Sequence, residues 1–138
     1  MSGAALELQA AFIAALRADG SLASLLGEGK VADGTRRGAA WPNIALGDWS
    51  SRSIAGDDWP GEEHRLEFLV FSRAGGRSEA LGLMARLGEV IAAANPTLAE
   101  HRLVTLERLR EEVQRTRDGR GWRGRVVYRA VTEPAALA

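Results

Sequence analysis

Residues 63–83, EHRLEFLVFSRAGGRSEALGL, run from an apolar strand through a glycine break into an amphipathic helix. The apolar side chains of the strand alternate: Leu66, Phe68 and Val70 face one way, and Leu69 and Phe71 face the other. A strand that is apolar on both faces is typical of the centre of a sheet, where both faces are covered. This stretch therefore predicts a small α+β domain built around one central strand.

Two amphipathic helices are predicted from apolar residues at helical spacing. The first covers residues 4–18, and the second covers residues 77–94 with Ser78 as its N-terminal cap. Ser21 is predicted to cap a short turn, residues 22–26. The predicted buried stripes are Leu6, Ala10, Ile13 and Leu16, with Phe12 beside them, in the first helix and Leu81, Met84, Leu87, Ile91 and Ala94 in the second.

The last third of the chain favours two structures at once. Leucines and Val113 recur at helical spacing in residues 103–117, whereas Asp118-Gly119 is a strong two-residue hairpin signal. Beyond that turn the chain alternates cleanly from Trp122 to Val131, as a half-buried strand does. A hairpin needs a partner strand before its turn, so we interpret residues 103–117 as a long strand.

Another strand is predicted over residues 43–49, followed by a long polar loop over residues 50–61. The sequence thus predicts a single domain, residues 1–138. Its expected fold is a mostly antiparallel sheet of four or five strands, with two main helices on one face and a long C-terminal hairpin.

Composition excludes several classes of protein. The chain has no cysteine, so disulfides and thiolate chemistry are impossible. Its 18 basic residues balance 18 acidic ones, which argues against a protein whose main function is to bind duplex DNA. No apolar run approaches the roughly 20 residues that span a bilayer, and the N-terminus lacks a basic secretory n-region. We expect a soluble product made in the cytoplasm.

Candidate catalytic or ligand-binding groups are isolated. His64 lacks a nucleophile-elbow serine or a second histidine at metal-ligand spacing, so we interpret it as structural. Residues 75–78, GGRS, follow a strand and open a helix but do not form a phosphate-binding P-loop. We expect no catalytic residue, no metal and no cofactor.

Several segments resemble one known family in order and spacing. They are WPNIALG at residues 41–47, EHRL at 63–66, FSRAGGR at 71–77, HRLV at 101–104, WRG at 122–124 and RAVTE at 129–133. Together they resemble the tail-terminator, or tail-completion, proteins of long-tailed siphovirus-type phages and gene-transfer agents. The resemblance covers nearly the whole chain, although residues 104–114 are more charged than the family pattern.

The resemblance implies a structural virion protein, not an enzyme. Such proteins form a ring, typically of six subunits, that caps the tail tube, stops its elongation and offers the head a docking surface. The implied partners are further copies of the chain, the tail tube protein and a head–tail connector or stopper, and DNA transits the lumen without sequence-specific binding. Assembly is expected in the cytoplasm of the bacterial host. The alternatives are another neck or minor tail protein and a small nucleic-acid-binding module.

Two groups of charged residues are the candidates for the subunit or partner interface. The acidic group lies in the polar loop and comprises Asp57, Asp58, Glu62 and Glu63 around Trp59. The basic group lies along the terminal hairpin and includes Arg115, Arg123 and Arg125. Neighbours in a cyclic ring meet through two different, complementary surfaces. We therefore expect the acidic loop of one subunit to meet the arginines of the next subunit or of an adjoining tail component, with Trp59 as the anchor.

Overall fold

A computed structural model describes residues 3–56, 58–73, 75 and 77–135. Within these residues the three helices are α1 (Gly3–Ala18), α2 (Gly20–Leu26) and α3 (Ser78–Ala93). The five strands in the same part of the chain are β1 (Val31–Ala32), β2 (Asn43–Ser53), β3 (Glu62–Ser72), β4 (His101–Arg115) and β5 (Trp122–Pro134). The strands form one sheet in the order β1-β2-β3-β5-β4, parallel between β1 and β2 and antiparallel elsewhere. The predicted α+β class and the central position of β3 are confirmed.

The core lies between the three helices and one face of the sheet. On that face β3 presents Leu66, Phe68 and Val70, and β5 presents Val126, Tyr128 and Ala130, all buried. The ring of Phe68 packs edge-on against Phe12 of α1 at 6.2 Å and against Tyr128 at 5.8 Å between ring centroids. Aromatic pairs prefer such edge-to-face contacts. The ring of Phe68 therefore joins α1 to the two central strands.

The predicted buried stripe of α1 is partly wrong. Leu6 is 60% exposed and Ala10 is exposed, whereas Ala5, Leu8 and Phe12 are buried. Leu6 and Leu8 are equally apolar, so local sequence cannot show which of them faces the sheet. The packing of α1 against α3 and the sheet decides it.

The second predicted stripe is also partly wrong, and its last member, Ala94, is the half-buried C-cap residue of α3. Met84, Leu87 and Ile91 of α3 are buried as predicted, but Leu81 is 43% exposed and Leu83 takes its place. The predicted cap is also wrong, because α3 begins at Ser78 and its N-cap residue is Arg77, which makes no side-chain capping bond.

Asp19, and not Ser21, caps the short helix α2. Its carboxylate accepts a hydrogen bond from the backbone N–H of Leu22 at 2.9 Å and two from the guanidinium of Arg86, at 2.6 and 2.9 Å. These bonds, led by Arg86, lower the pKa of Asp19 to about 2. One side chain thus both starts α2 and ties it to α3.

Residues 101–115 form a strand, as the hairpin argument predicts, in spite of their helical spacing. β4 pairs with β5 from His101↔Pro134 to Arg115↔Trp122, and this long-range pairing overrides the local propensity. The connecting loop is longer than the predicted two residues. The N–H of Thr116 donates to the carbonyl of Gly121, and Gly119 adopts a φ of +71°, so four residues form the turn.

β2 extends farther than predicted, because it continues to Ser53 and pairs with the start of β3. The predicted loop of residues 50–61 is therefore shortened to residues 54–61, closed by a bond from the N–H of Ile54 to the carbonyl of Gly61 at 3.0 Å. The two-residue strand β1 was not predicted. Among the described residues it pairs with Ile44 and Ala45 of β2.

Candidate assembly surfaces

The acidic loop and the turn of the arginine-rich hairpin lie at opposite ends of the sheet. Glu62 opens β3 and pairs with Thr132, whereas Ser72 closes β3 and pairs with Trp122, beside the hairpin turn. An 11-residue strand separates them, which corresponds to about 33–37 Å at the usual rise per residue. Asp58 and Glu62 therefore lie far from Arg115 and Arg123 in one subunit, whereas Glu63 is bonded to Arg129 of the same hairpin.

At the first end, which we call the acidic end, Trp59 lies against its own chain. Its indole N–H donates to the carboxylate of Glu133, and a Cβ placed at Gly61 would come within 2.3 Å of the Trp59 ring. The bond from Trp59, followed by one from Arg102, lowers the pKa of Glu133. Asp58 is exposed, and Asp57 lies outside the described residues.

At the other end, which we call the basic end, arginines stack on two tryptophans. The guanidinium groups of Arg77 and Arg115 lie 5.0 and 4.8 Å from the ring centre of Trp122, and that of Arg73 lies 4.8 Å from the ring centre of Trp41. Six arginines of this end form no ion pair within the described part of the chain: Arg73, Arg77, Arg115, Arg117, Arg120 and Arg123. The basic end thus presents several arginines without ion pairs among the described residues, and cation–π contacts help to hold Arg73, Arg77 and Arg115.

The sheet face without helices, which we call the open face, is charged but balanced. Arg129 bonds to Glu63 at 2.6 Å and Arg52 bonds to the same carboxylate at 3.0 Å. Arg125 bonds to Glu67 and, at 3.2 Å, to Glu112. Glutamates at positions 63 and 67 of the central strand thus neutralise arginines from both neighbouring strands.

Burial and pairing explain the titration behaviour of this face. Glu63 is only 5% exposed, and hydrogen bonds from Arg52 and Arg129 lower the pKa of its carboxyl to about 2. The carboxylates of Glu67 and Glu112 raise the pKa of Arg125. A contact between Arg125 and another subunit would have to replace these bonds, whereas Arg123 on the same strand is exposed and unpaired within the described residues.

His64 is a buried structural side chain that joins three strands. One ring nitrogen, Nδ1, lies 2.7 Å from the hydroxyl of Ser51, and the other, Nε2, lies 2.9 Å from the hydroxyl of Thr132. Burial lowers the pKa of its imidazole. Trp49 packs edge-on against the ring at 5.9 Å. Since both nitrogens are occupied within the sheet, the geometry supports the structural interpretation of His64.

Neither a metal site nor a membrane span is found where the structure is described. Within residues 3–56, 58–73, 75 and 77–135, no three acidic or histidine side chains group closely enough to hold a metal ion. In the same residues no helix is long and apolar enough to cross a bilayer. The features that remain are surfaces: two charged ends, a balanced open face and the sheet edges.

The sequence matches the family described as “Tail completion protein gp17” over residues 10–133. Among solved structures, a chain of the “Virion of native gene transfer agent (GTA) particle” is similar at a TM-score of 0.86 and 29% identity, over 96% of this chain and 99% of that one. The bacteriophage SPP1 gp17 protein gives a TM-score of 0.60 at 19% identity, over 94% and 91% of the two chains, and shows the shared fold. No curated protein sequence matches the chain.

Proposed function

The chain belongs to the tail completion protein family of phages and gene-transfer agents, and from this premise we propose that it forms the ring that terminates the tail. The family is structural and is not known for enzymatic activity. In the proposed role about six copies close into a ring that caps the finished tail tube, stops its elongation and offers the head a docking surface. DNA passes through the central hole.

The observation that carries this proposal is the similarity to a chain of an assembled virion. That match spans 96% of this chain at a TM-score of 0.86. The family match over residues 10–133 contains the central strands, nearly all of the long hairpin and both charged ends. A component of a finished particle must present docking surfaces, and the charged ends are suited to that role.

The two ends of the sheet are the proposed docking faces of the ring. Asp58 and Glu62 mark the acidic end, and Arg115 and Arg123 mark the basic end, about one strand length away. Adjoining components above and below a ring meet opposite ends of its subunits. We therefore assign the two charged groups to different neighbours along the tail, and Trp59 of the acidic end supplies apolar area beside the charges.

The paired charges of the open face are suited to the wall of a central hole through which DNA passes. Phosphates are held by lysine and arginine side chains that displace counterions. On the open face Arg52, Arg125 and Arg129 are already bonded to glutamates of the same chain. Such a surface offers a passing duplex few free cations, which supports transit without retention.

Deletion of the gene in a producing strain tests the proposal. Particles that lack the protein should carry tail tubes of uncontrolled length without attached heads, because nothing blocks the growing end. A plasmid copy should restore normal lengths, measured by electron microscopy. Tails of normal length that lack only heads would assign the protein to the neck instead, and normal tails joined to heads would contradict both roles.

A further inference from the structure

The sheet has one long edge that nothing in the described structure covers. β4 comprises 15 residues and pairs on one side only, with β5. Its other side bears the unpaired N–H and C=O groups of an edge strand. Soluble proteins usually shorten or cover such an edge, because it is a template for pairing with another chain.

Two irregularities of β4 place apolar side chains on this edge. The register with β5 shifts between Leu103 and Thr105 and again between Arg108 and Arg110. The residues skipped at these bulges are Val104 and Leu109, which are 44% and 39% exposed. Bulges at sheet edges commonly redirect a side chain. Here they leave two large apolar side chains outside the core and exposed.

The helix side of the same edge is also apolar. A groove between α3 and the β4–β5 hairpin is lined by Leu81, Ala85, Leu106 and Tyr128, with Arg108 and Glu111 at the strand. Leu81 is the exposed leucine of α3. Apolar side chains therefore flank the uncovered backbone on both sides of the sheet.

A second uncovered edge lies at the opposite side of the sheet. Among the described residues β1 pairs with Ile44 and Ala45, and residues 46–53 of β2 have no strand partner on that side. Their pairing with β3 is interrupted by a bulge between Leu46 and Trp49. Trp49 is half-buried on this segment. The strand order makes β2 and β4 antiparallel to each other. If one subunit is placed beside the next by rotation about an axis along the strands, β4 meets the neighbour's β2 in antiparallel orientation.

We propose that the subunits of the ring join by edge-to-edge pairing, β4 of one copy with residues 46–53 of β2 in the next. This inference rests on the proposed ring. A ring needs two different surfaces that complement each other, and the two uncovered edges of one sheet are such a pair. The contact adds main-chain hydrogen bonds and covers Val104 and Leu109.

The dimensions agree with a passage for DNA. Four long strands span about 19 Å at the usual spacing of about 4.8 Å. Six such sheets joined edge to edge enclose a circumference of about 115 Å, or a bore of roughly 37 Å between opposite backbones. With the helices outside, the balanced open face would line that bore, which is wide enough for a duplex after side chains are counted.

Introduced cysteines can test the pairing, because the chain contains no cysteine of its own that could form a competing disulfide. Ser50→Cys lies on the open face of β2, in register with Arg65. A second cysteine is placed in turn at each open-face position of β4, such as Thr105, Glu107, Leu109 and Glu112. Disulfides form only when Cα atoms lie within about 7 Å, so the scan finds the register of any pairing.

The variants replace the wild-type gene in a producing strain, and purified particles are oxidised and run on non-reducing gels. We expect covalent multimers for one or two neighbouring β4 positions combined with Ser50→Cys, and only monomers from each single variant. Dimers from a β4 cysteine alone would show β4 pairing with β4 and would overturn the proposal.

The native mass of the assembly released from particles distinguishes a failure of the edge pairing from a failure of the ring. A mass of several copies with no cross-link at any position would overturn the edge pairing and leave the ring. A mass of one copy would overturn the ring, and the edge pairing with it.

Discussion

Arg125 of β5 bonds to the carboxylate of Glu67 on the central strand of the same subunit. The two residues are separated by 58 positions in sequence and carry opposite charges on the open face. Arg125 was a candidate interface residue of the arginine-rich hairpin. The bond to Glu67 indicates instead that Arg125 stabilises the sheet of its own subunit.

Arg125→Glu should destabilise the fold, because it sets two carboxylates side by side where Glu67 is buried. We expect a loss of about 1–2 kcal/mol in the free energy of unfolding, measured by urea denaturation. The exchange Glu67→Arg with Arg125→Glu should recover part of it. Arg123→Glu, on the same strand but without an ion pair in the described structure, is the matched control and should change stability by less than about 0.5 kcal/mol. Equal losses for both single variants would contradict the structural role of the pair.

Leu87→Asp should destabilise strongly, whereas Leu81→Asp in the same helix should not. Leu87 is fully buried and Leu81 is 43% exposed. Removing a buried leucine side chain alone costs about 2–5 kcal/mol, and an unpaired buried carboxylate adds to that cost. Thermal melting of the two variants compares the sites directly. If Leu87→Asp melts within a degree or two of wild type, the orientation of α3 is wrong.

Stability should fall as the pH drops below the ordinary histidine pKa of 6.5. Burial lowers the pKa of His64 in the folded protein, so the unfolded chain binds the proton first, and stability present above pH 6.5 is lost on acidification. Urea midpoints at pH 7.5 and pH 5.5 measure this loss. His64→Gln should be less stable at pH 7.5 but less sensitive to pH. An unchanged slope in His64→Gln would exclude His64 as its source.

Arg115→Glu with Arg123→Glu should impair joining to one neighbour along the tail. The change reverses two charges at the basic end, where neither arginine has an ion pair in the described residues. Charges of this kind act mainly on association rate and specificity. Joined particles, counted by electron microscopy, should be fewer, while Arg115→Lys with Arg123→Lys should assemble normally. If the reversed variant folds and assembles at the wild-type rate, the basic end is not a docking face.

Asp58→Arg tests the acidic end in the same assay, alone and combined with Arg123→Glu. Because the two sites lie at opposite ends of the sheet, our assignment expects the defects of the two variants to add. Restoration of assembly in the combined variant would instead indicate direct contact between an acidic loop and an arginine-rich hairpin, as the sequence alone suggested.

The elements of the fold could be predicted from the sequence because periodicity reports burial directly. The alternation around Phe68 located the central strand, and the alternation after Asp118-Gly119 required a partner strand in residues 103–117. That requirement was correct although the partner's own residues favour a helix. No catalytic cluster was predicted, and the family to which the chain belongs is structural.

Only the tertiary structure decided which groups meet. Leu6 and Leu81 are as apolar as Leu8 and Leu83, so their exposure depends on how each helix sits on the sheet. The bonds between Arg129 and Glu63 join residues 66 positions apart, and no local pattern encodes such a pair. The two bulges of β4 likewise depend on its register with β5. Periodicity determines which elements form, but pairing across the sheet determines which charges are neutralised, which apolar side chains stay exposed and which edges remain open.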